Sequence, residues 1–208
     1  MSNSTFPLRS LLGLAILACL AATHHVHAFP EPRIVTDSWK IDFQFETPRV
    51  INVVTEPGQP AQTFWYLPYT VTNESGEDQM FIPDIRILTN EGQLLQAGRN
   101  VPPNVFDAIK AEQRNKLLES PIEVIGRILQ GEDNAKDSVA IWAAPEADVD
   151  AITITIKGLS GETTVVKNPE SGEEIVLRKT LMLQFATPGG TAAATRRVTL
   201  LDTDWVMQ

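Results

Sequence analysis

Few side chains here can do chemistry, and the most versatile of them cluster at the start of the chain. His24, His25, His27 and the single cysteine, Cys19, all fall within the first 28 residues. Removing that stretch would leave no imidazole and no thiol. Such a chain has no Ser-His-Asp or Cys-His nucleophile, no zinc site of His or Cys type, no His-ligated haem and no disulfide. It also lacks the usual proton shuttle of neutral pH. Any remaining chemistry belongs to carboxylates, hydroxyls and amides.

Two carboxylate pairs, Asp148/Asp150 and Asp202/Asp204, have the i, i+2 spacing that shares one face of an extended strand. Paired acids could serve glycoside hydrolysis, although such pairs are usually distant in sequence. Two acids on one strand face also protect a sheet edge. Ser160 sits in Gly-Leu-Ser-Gly, which lacks the spacing of a nucleophile elbow and has no histidine to activate it. Glu132, Asp133, Asn134 and Asp137 put four oxygen-bearing side chains within six residues. Calcium accepts that donor set, but the spacing is not that of an EF-hand loop, and solvated loop chemistry is the plainer reading. Trp65 and Tyr69 would share one face of a strand as a candidate ligand surface, with Tyr66 on the other; aromatics on a strand more often pack in a core. Asn73-Glu74-Ser75 matches a glycosylation sequon.

The leader reads as a signal peptide over residues 1–28. Arg9 gives the positive region, Leu11–Ala22 the apolar run and Val26-His27-Ala28 the cleavage site. The run is too short to span a bilayer, which takes about 20 apolar residues. Ile16-Leu17-Ala18-Cys19 is a competing signal, a lipobox that would anchor the protein by lipid at Cys19. Cleavage after Ala28 leaves one domain, 29–208, of 180 residues. Loss of Arg9 then sets 16 basic against 26 acidic side chains, a net of −10. That balance disfavours nucleic acid and anionic membrane surfaces as partners.

The elements that must position these residues are mostly strands. After a proline-rich lead-in, Trp39–Phe45 alternates strictly, sending Trp39, Ile41, Phe43 and Phe45 to the core, and Arg49–Thr55 follows as a strand. Phe64–Leu88 reads as a hairpin turning at Asn73–Asp78, with Gln93–Ala97 as the third strand of a meander. Pro68 and Pro83 lie almost equally far from the turn, and neither can donate to a ladder, so an edge or a bulge is expected there. Residues 102–131 break the pattern. Pro102-Pro103-Asn104 opens one helix with Val105, Phe106 and Ile109 on a face. Ser120-Pro121-Ile122-Glu123 carries the capping box of a second, with Ile122, Ile125, Ile128 and Leu129 in one arc and Gly131 as terminator. This insertion covers the sheet, binds a partner or closes a cleft between helices and sheet. Ser138–Ala143, Ala151–Lys157, Glu162–Lys167, Glu173–Ala186 and Arg196–Leu201 are further strands.

The segment Tyr69-Thr70-Val71-Thr72-Asn73 and its polar turn Glu74-Ser75-Gly76-Glu77-Asp78 resembles the hairpin of immunoglobulin-like β-sandwich domains in uncharacterised bacterial secreted and envelope protein families. The resemblance covers about a fifth of the mature chain, and the Cys…Trp…Cys signature of true immunoglobulin domains is missing. It implies a fold and no activity. The chain therefore reads as a mainly β, immunoglobulin-like antiparallel sandwich with a two-helix insertion at about 100–131. Its expected role is an exported, periplasmic or extracellular, non-catalytic binding or structural module, with a protein or glycan of the envelope as partner and no cofactor. The alternatives are a carboxylate-based carbohydrate-active or hydrolytic enzyme and a calcium-dependent adhesion domain.

Overall fold

The computed structural model describes residues 38–145, 149–187 and 198–208. The expected signal peptide, Cys19, the three histidines, the proline-rich lead-in and Asp148 lie outside the described residues, as do Arg196 and Arg197 of the last expected strand. Within them the chain is mainly β, with every strand-to-strand pairing antiparallel.

The first sheet is assembled on one long strand, β3 (Gln62–Asn73). On one side β3 pairs with β8 (Lys136–Ala143). On the other it pairs first with β2 (Arg49–Val53) and then with β1 (Ile41–Phe45), so those two form one broken lane. The break explains Pro68. Phe45 faces Tyr69 and Arg49 faces Tyr66, which leaves Glu46-Thr47-Pro48 opposite Leu67 and Pro68. This is the extra residue of a β-bulge. The Glu46 amide donates to the Pro68 carbonyl at 3.0 Å, so the backbone edge on which Pro68 lacks a hydrogen faces the bulge, where no regular ladder bond is lost.

The second sheet repeats this plan. Its template is β11 (Glu174–Ala186), flanked by β9 (Ala151–Lys157) and, beyond a break at Gly158–Glu162, β10 (Thr163–Lys167). Across β11 runs β12 (Thr199–Met207); beyond β9 come β5 (Asp84–Thr89) and the short β6 (Leu94–Gln96). A separate ribbon pairs β4 (Gln79–Phe81) with β7 (Gly126–Ile128).

The two sheets pack face to face. Trp65, Leu67, Tyr69, Val71, Ala140 and Trp142 from the first meet Ile85, Ile87, Ile152, Ile154, Ile156, Leu181, Leu183 and Phe185 from the second. The opposite face of β3 is buried as well. There Phe64 and Tyr66 pack with Val139 and Ile141 under Val105 and Ile109 of the single helix, α1 (Pro103–Gln113). β3 is thus dry on both faces, and removing any of its large side chains should cost several kcal/mol, about 2–5 for a buried aliphatic group. The Gly158–Glu162 break holds the start of β1: Ile41 N–H donates to Leu159 O at 2.8 Å, and Gly161 N–H to Trp39 O at 3.1 Å. Close by, the Lys40 and Lys179 ammoniums lie 4.7 and 5.7 Å from the Trp205 ring centre, and Lys179 also pairs with buried Glu162 at 2.6 Å.

Two expectations are corrected. Phe64–Leu88 is not a hairpin. β3 and β5 belong to different sheets, and the polar turn at Asn73–Asp78 carries the chain between them through β4. Nor is there a second helix. The capping box forms as read, with Ser120 N–H donating to Glu123 Oε2 at 2.8 Å and Glu123 N–H to Ser120 Oγ at 3.2 Å, but it caps a single turn. Gly126 follows at φ 140° and the chain extends into β7, burying Val124 and Ile128 while Ile122, Ile125 and Leu129 stay exposed. Three β-branched residues among Ile122–Ile125 weaken helix propagation, and pairing with β4 satisfies the backbone instead.

Candidate functional site

Strand geometry settles several of the candidates. Trp65 and Tyr69 do share a face, but it is the core face: they are 1% and 4% exposed and offer no open aromatic platform. Tyr66 turns to the helix, donating to Glu112 Oε1 at 2.7 Å and accepting from Gln113 Nε2 at 3.2 Å. Burial pushes the Tyr69 phenol up to about 12, with the Ser138 hydroxyl opposing the shift; burial and Glu112 also push Tyr66 up. Asn73 is fully buried. Its Nδ2 donates to Glu77 O at 2.8 Å and to Ile128 O at 2.9 Å, while Oδ1 accepts from Ser75 N at 3.1 Å and Ser75 Oγ at 2.8 Å. The sequon asparagine is the knot of the inter-sheet turn, and its amide is closed to a glycan in the folded chain.

The acidic candidates do not converge. Glu132, Asp133 and Asn134 form a 3-10 turn, and the Asn134 amide donates to Gln130 O. Asp137, on β8, accepts from Thr70 Oγ1 at 2.7 Å and from Asn115 Nδ2 at 2.8 Å, so each oxygen is already engaged. Among the described residues no three His, Cys, Asp or Glu side chains gather as a metal site. Asp202 and Asp204 lie exposed on β12, each accepting from the next residue's amide. Ser160 belongs to the sheet-joining break and accepts from Glu162 N.

Two clefts remain. The first, about 310 Å3, opens between the end of α1 and the bulge of the first sheet. It gathers Gln44, Glu46, Tyr69, Thr70, Asn115 and Asp137 between the sheet and the single helix, without the second helix that the expected cleft between helices and sheet would need. Most of its polar groups are already engaged: Asp137 with Thr70 and Asn115 inside the cleft, and Glu46 with Arg49, Gln44 with Asp42 and Ser138 with Glu119 O beyond it. A wall whose polar groups already have partners stabilises the fold and has less capacity left for a ligand.

The second cleft, about 420 Å3, lies where β5 and β6 meet the end of β8. Arg86 on β5 stands directly across the ladder from Gln96 on β6. The chain then turns under firm constraint: Ala97 N–H donates to Ile85 O and Gly98 N–H to Ile141 O, which ties the turn to both sheets. Arg99 and Asn100 follow, with Asn100 held at φ 57° before α1 begins. Leu94, Leu95, Ala143 and Trp142 complete the wall. Arg86 grips Asp84 through Nε (2.9 Å) and Nη2 (2.6 Å), a pairing that pushes its pKa higher still. Among the described residues Arg99 has no acid within salt-bridge distance, and neither Gln96 nor Asn100 has a side-chain hydrogen bond. Among the described residues the indole N–H of Trp142 is one of two buried side-chain donors with no acceptor; the other is Trp65, its neighbour across the ladder. Among the described residues no acidic side chain lines the cleft, in a chain of net charge −9.

Sequence reasoning missed this cleft because its parts are dull one by one. An arginine alternating along a strand reads as a solvated face, and Arg99 as loop. A strand-turn-helix join with two arginines and two amides within fifteen residues was the available signal. No protein-family model matches the chain, and no curated protein or solved structure matches it significantly. No helix among the described residues is long and apolar enough to cross a membrane.

Proposed function

We propose that this protein is an exported, non-catalytic binding module of the cell envelope, built on an immunoglobulin-like sandwich. One observation carries the reading: Arg99, Gln96 and Asn100 in the larger cleft have no side-chain partner among the described residues, while the described acids that could do hydrolytic work are dispersed or already hydrogen-bonded. A general acid–base pair needs two carboxylates converging on one reacting centre. A binding site needs free hydrogen-bonding capacity on a rigid frame, and the Ala97–Asn100 turn tied to both sheets supplies it. The leader supports export, and the absence of His and Cys beyond it suits a role without covalent chemistry.

Saturation-transfer NMR of the purified protein against a panel of oligosaccharides and short peptides, followed by mass analysis of the panel, tests the role. The expected result is a bound component recovered unchanged. Conversion of any component, or silence across the panel, refutes it. N-terminal sequencing of the protein from its own cells tests export, with Phe29 expected first. Retained Met1 refutes processing, and a lipid-modified Cys19 replaces plain cleavage with an anchored form.

A further inference from the structure

We infer that the cleft bounded by Arg86, Gln96, Arg99 and Asn100 is a receptor for a carboxylate carried on a flat or apolar body. This rests on the binding-module reading and specifies its ligand.

Charge counting selects a monoanion. Arg86 is neutralised by its two-point grip on Asp84, and that grip uses Nε and Nη2. Arg99 contributes the one positive charge of the cleft without an acidic partner among the described residues. A single guanidinium matches a carboxylate as a planar two-point fork, whereas a dianionic phosphate would be left half-compensated. The neutral groups agree. The Gln96 and Asn100 amides are donors within the same cleft, and both can bond the second oxygen or an adjacent hydroxyl. The remaining wall explains the body of the ligand. Leu94, Leu95 and Ala143 present apolar surface beside the arginine, with the buried Trp142 behind them, a lining that a bare inorganic ion does not use. Trp142, with an N–H that no protein group accepts, is the side chain best placed to report occupancy.

The geometry also gives the site its rigidity. Arg86 and Gln96 are fixed by ladder pairing, and Arg99 leaves a turn whose own amide is bonded to Gln96 O at 3.3 Å. A fixed backbone frame lowers the ordering cost of binding, and the exposed Arg99 side chain is what remains to be ordered by the ligand.

Isothermal titration of the purified protein at low salt tests the inference with four probes: sodium galacturonate and sodium phenylacetate as carboxylates, with galactose and inorganic phosphate as controls. The two carboxylates distinguish a sugar acid from an aromatic or peptide-like acid as the natural source. One-to-one binding of at least one carboxylate is expected, weakened at least about tenfold in Arg99→Gln and less in Arg99→Lys, which keeps the charge but not the fork. Arg127→Gln, an exposed arginine of the β4–β7 ribbon, removes the same charge elsewhere and leaves binding unchanged. Melting curves confirm that each variant is folded. No heat from either carboxylate at roughly 10 mM, equal binding by Arg99→Gln, or phosphate binding more tightly than both carboxylates overturns the inference. Galactose bound equally well by wild type and Arg99→Gln would overturn the carboxylate while leaving a non-catalytic binding module standing.

Discussion

Asn73 offers the sharpest test of how this chain is held together. Its amide makes four hydrogen bonds from a position with no solvent exposure. In Asn73→Ala the Ile128 carbonyl, whose bond is fully buried, loses its side-chain donor, at a cost of about 1–3 kcal/mol. The three other bonds are nearer the surface and add about 0.5 kcal/mol each. The total is about 3 kcal/mol, and for a domain of this size it lowers Tm by about 6–12 °C. Asn73→Asp keeps the shape but replaces the donor that faces two carbonyls with an acceptor oxygen and buries a charge. Burial raises the folded pKa of that carboxyl above its unfolded value. The protonated form is tolerated, so the variant is least impaired below about pH 4 and loses stability as pH rises through the folded pKa. Thermal unfolding by circular dichroism at several pH values, for wild type, Asn73→Ala, Asn73→Asp and Ser75→Ala, separates these effects. A loss under about 1 kcal/mol in Asn73→Ala, or an Asn73→Asp curve parallel to wild type in pH, would refute the knot.

Further outcomes follow from single contacts. The Tyr69 phenol, ordinarily 10 and here about 12, favours the neutral form in the folded state, so its stabilisation is complete below pH 10 and is lost as pH rises toward 12, by about 3 kcal/mol. Urea titrations across that range should show Tyr69→Phe with a shallower decline; identical slopes would remove burial as the cause. Gly158 sits at φ 93°, and a Cβ there would meet Ile82 O at 2.5 Å, so Gly158→Ala should cost at least about 2 kcal/mol in the same assay. Lys179→Met leaves Glu162, whose side chain is 6% exposed, without its partner and should cost about 3 kcal/mol; Glu162→Gln in that background should recover part of it.

What could be read from the sequence was what period and caps encode locally. Trp39–Phe45 and Ala151–Lys157 stand where their alternation placed them, and α1 opens at Pro103 with Val105 and Ile109 inward. Pairing was not local. The partner of Trp65 is Trp142, and that of Ile85 is Ile156; nothing near either residue names the other. The turn at Asn73 has the composition of a hairpin turn, yet its amide reaches Ile128, and that contact sends the chain across to the other sheet. The capping box at Ser120 was real and still misled, because a cap states where a helix can begin and not whether packing continues it. The carboxylate candidates were visible as types, but their hydrogen-bond partners were not. Arg86 and Arg99 come together only because β6 folds back on β5.

The two broken lanes change how the chain tolerates insertion. In an uninterrupted strand one added residue inverts every side chain beyond it, exchanging core for solvent. Here β1 and β2 hold separate registers on β3, as β9 and β10 do on β11. An insertion or deletion within Glu46–Pro48 can therefore be taken up in the break, with the flanking segments still in phase on their template, whereas Gly158–Glu162, which clamps β1 and buries Leu159 and Glu162, leaves less room for one. The long strands act as rulers, and the gap between β1 and β2 lets the first sheet lengthen or shorten by single residues without turning inside out.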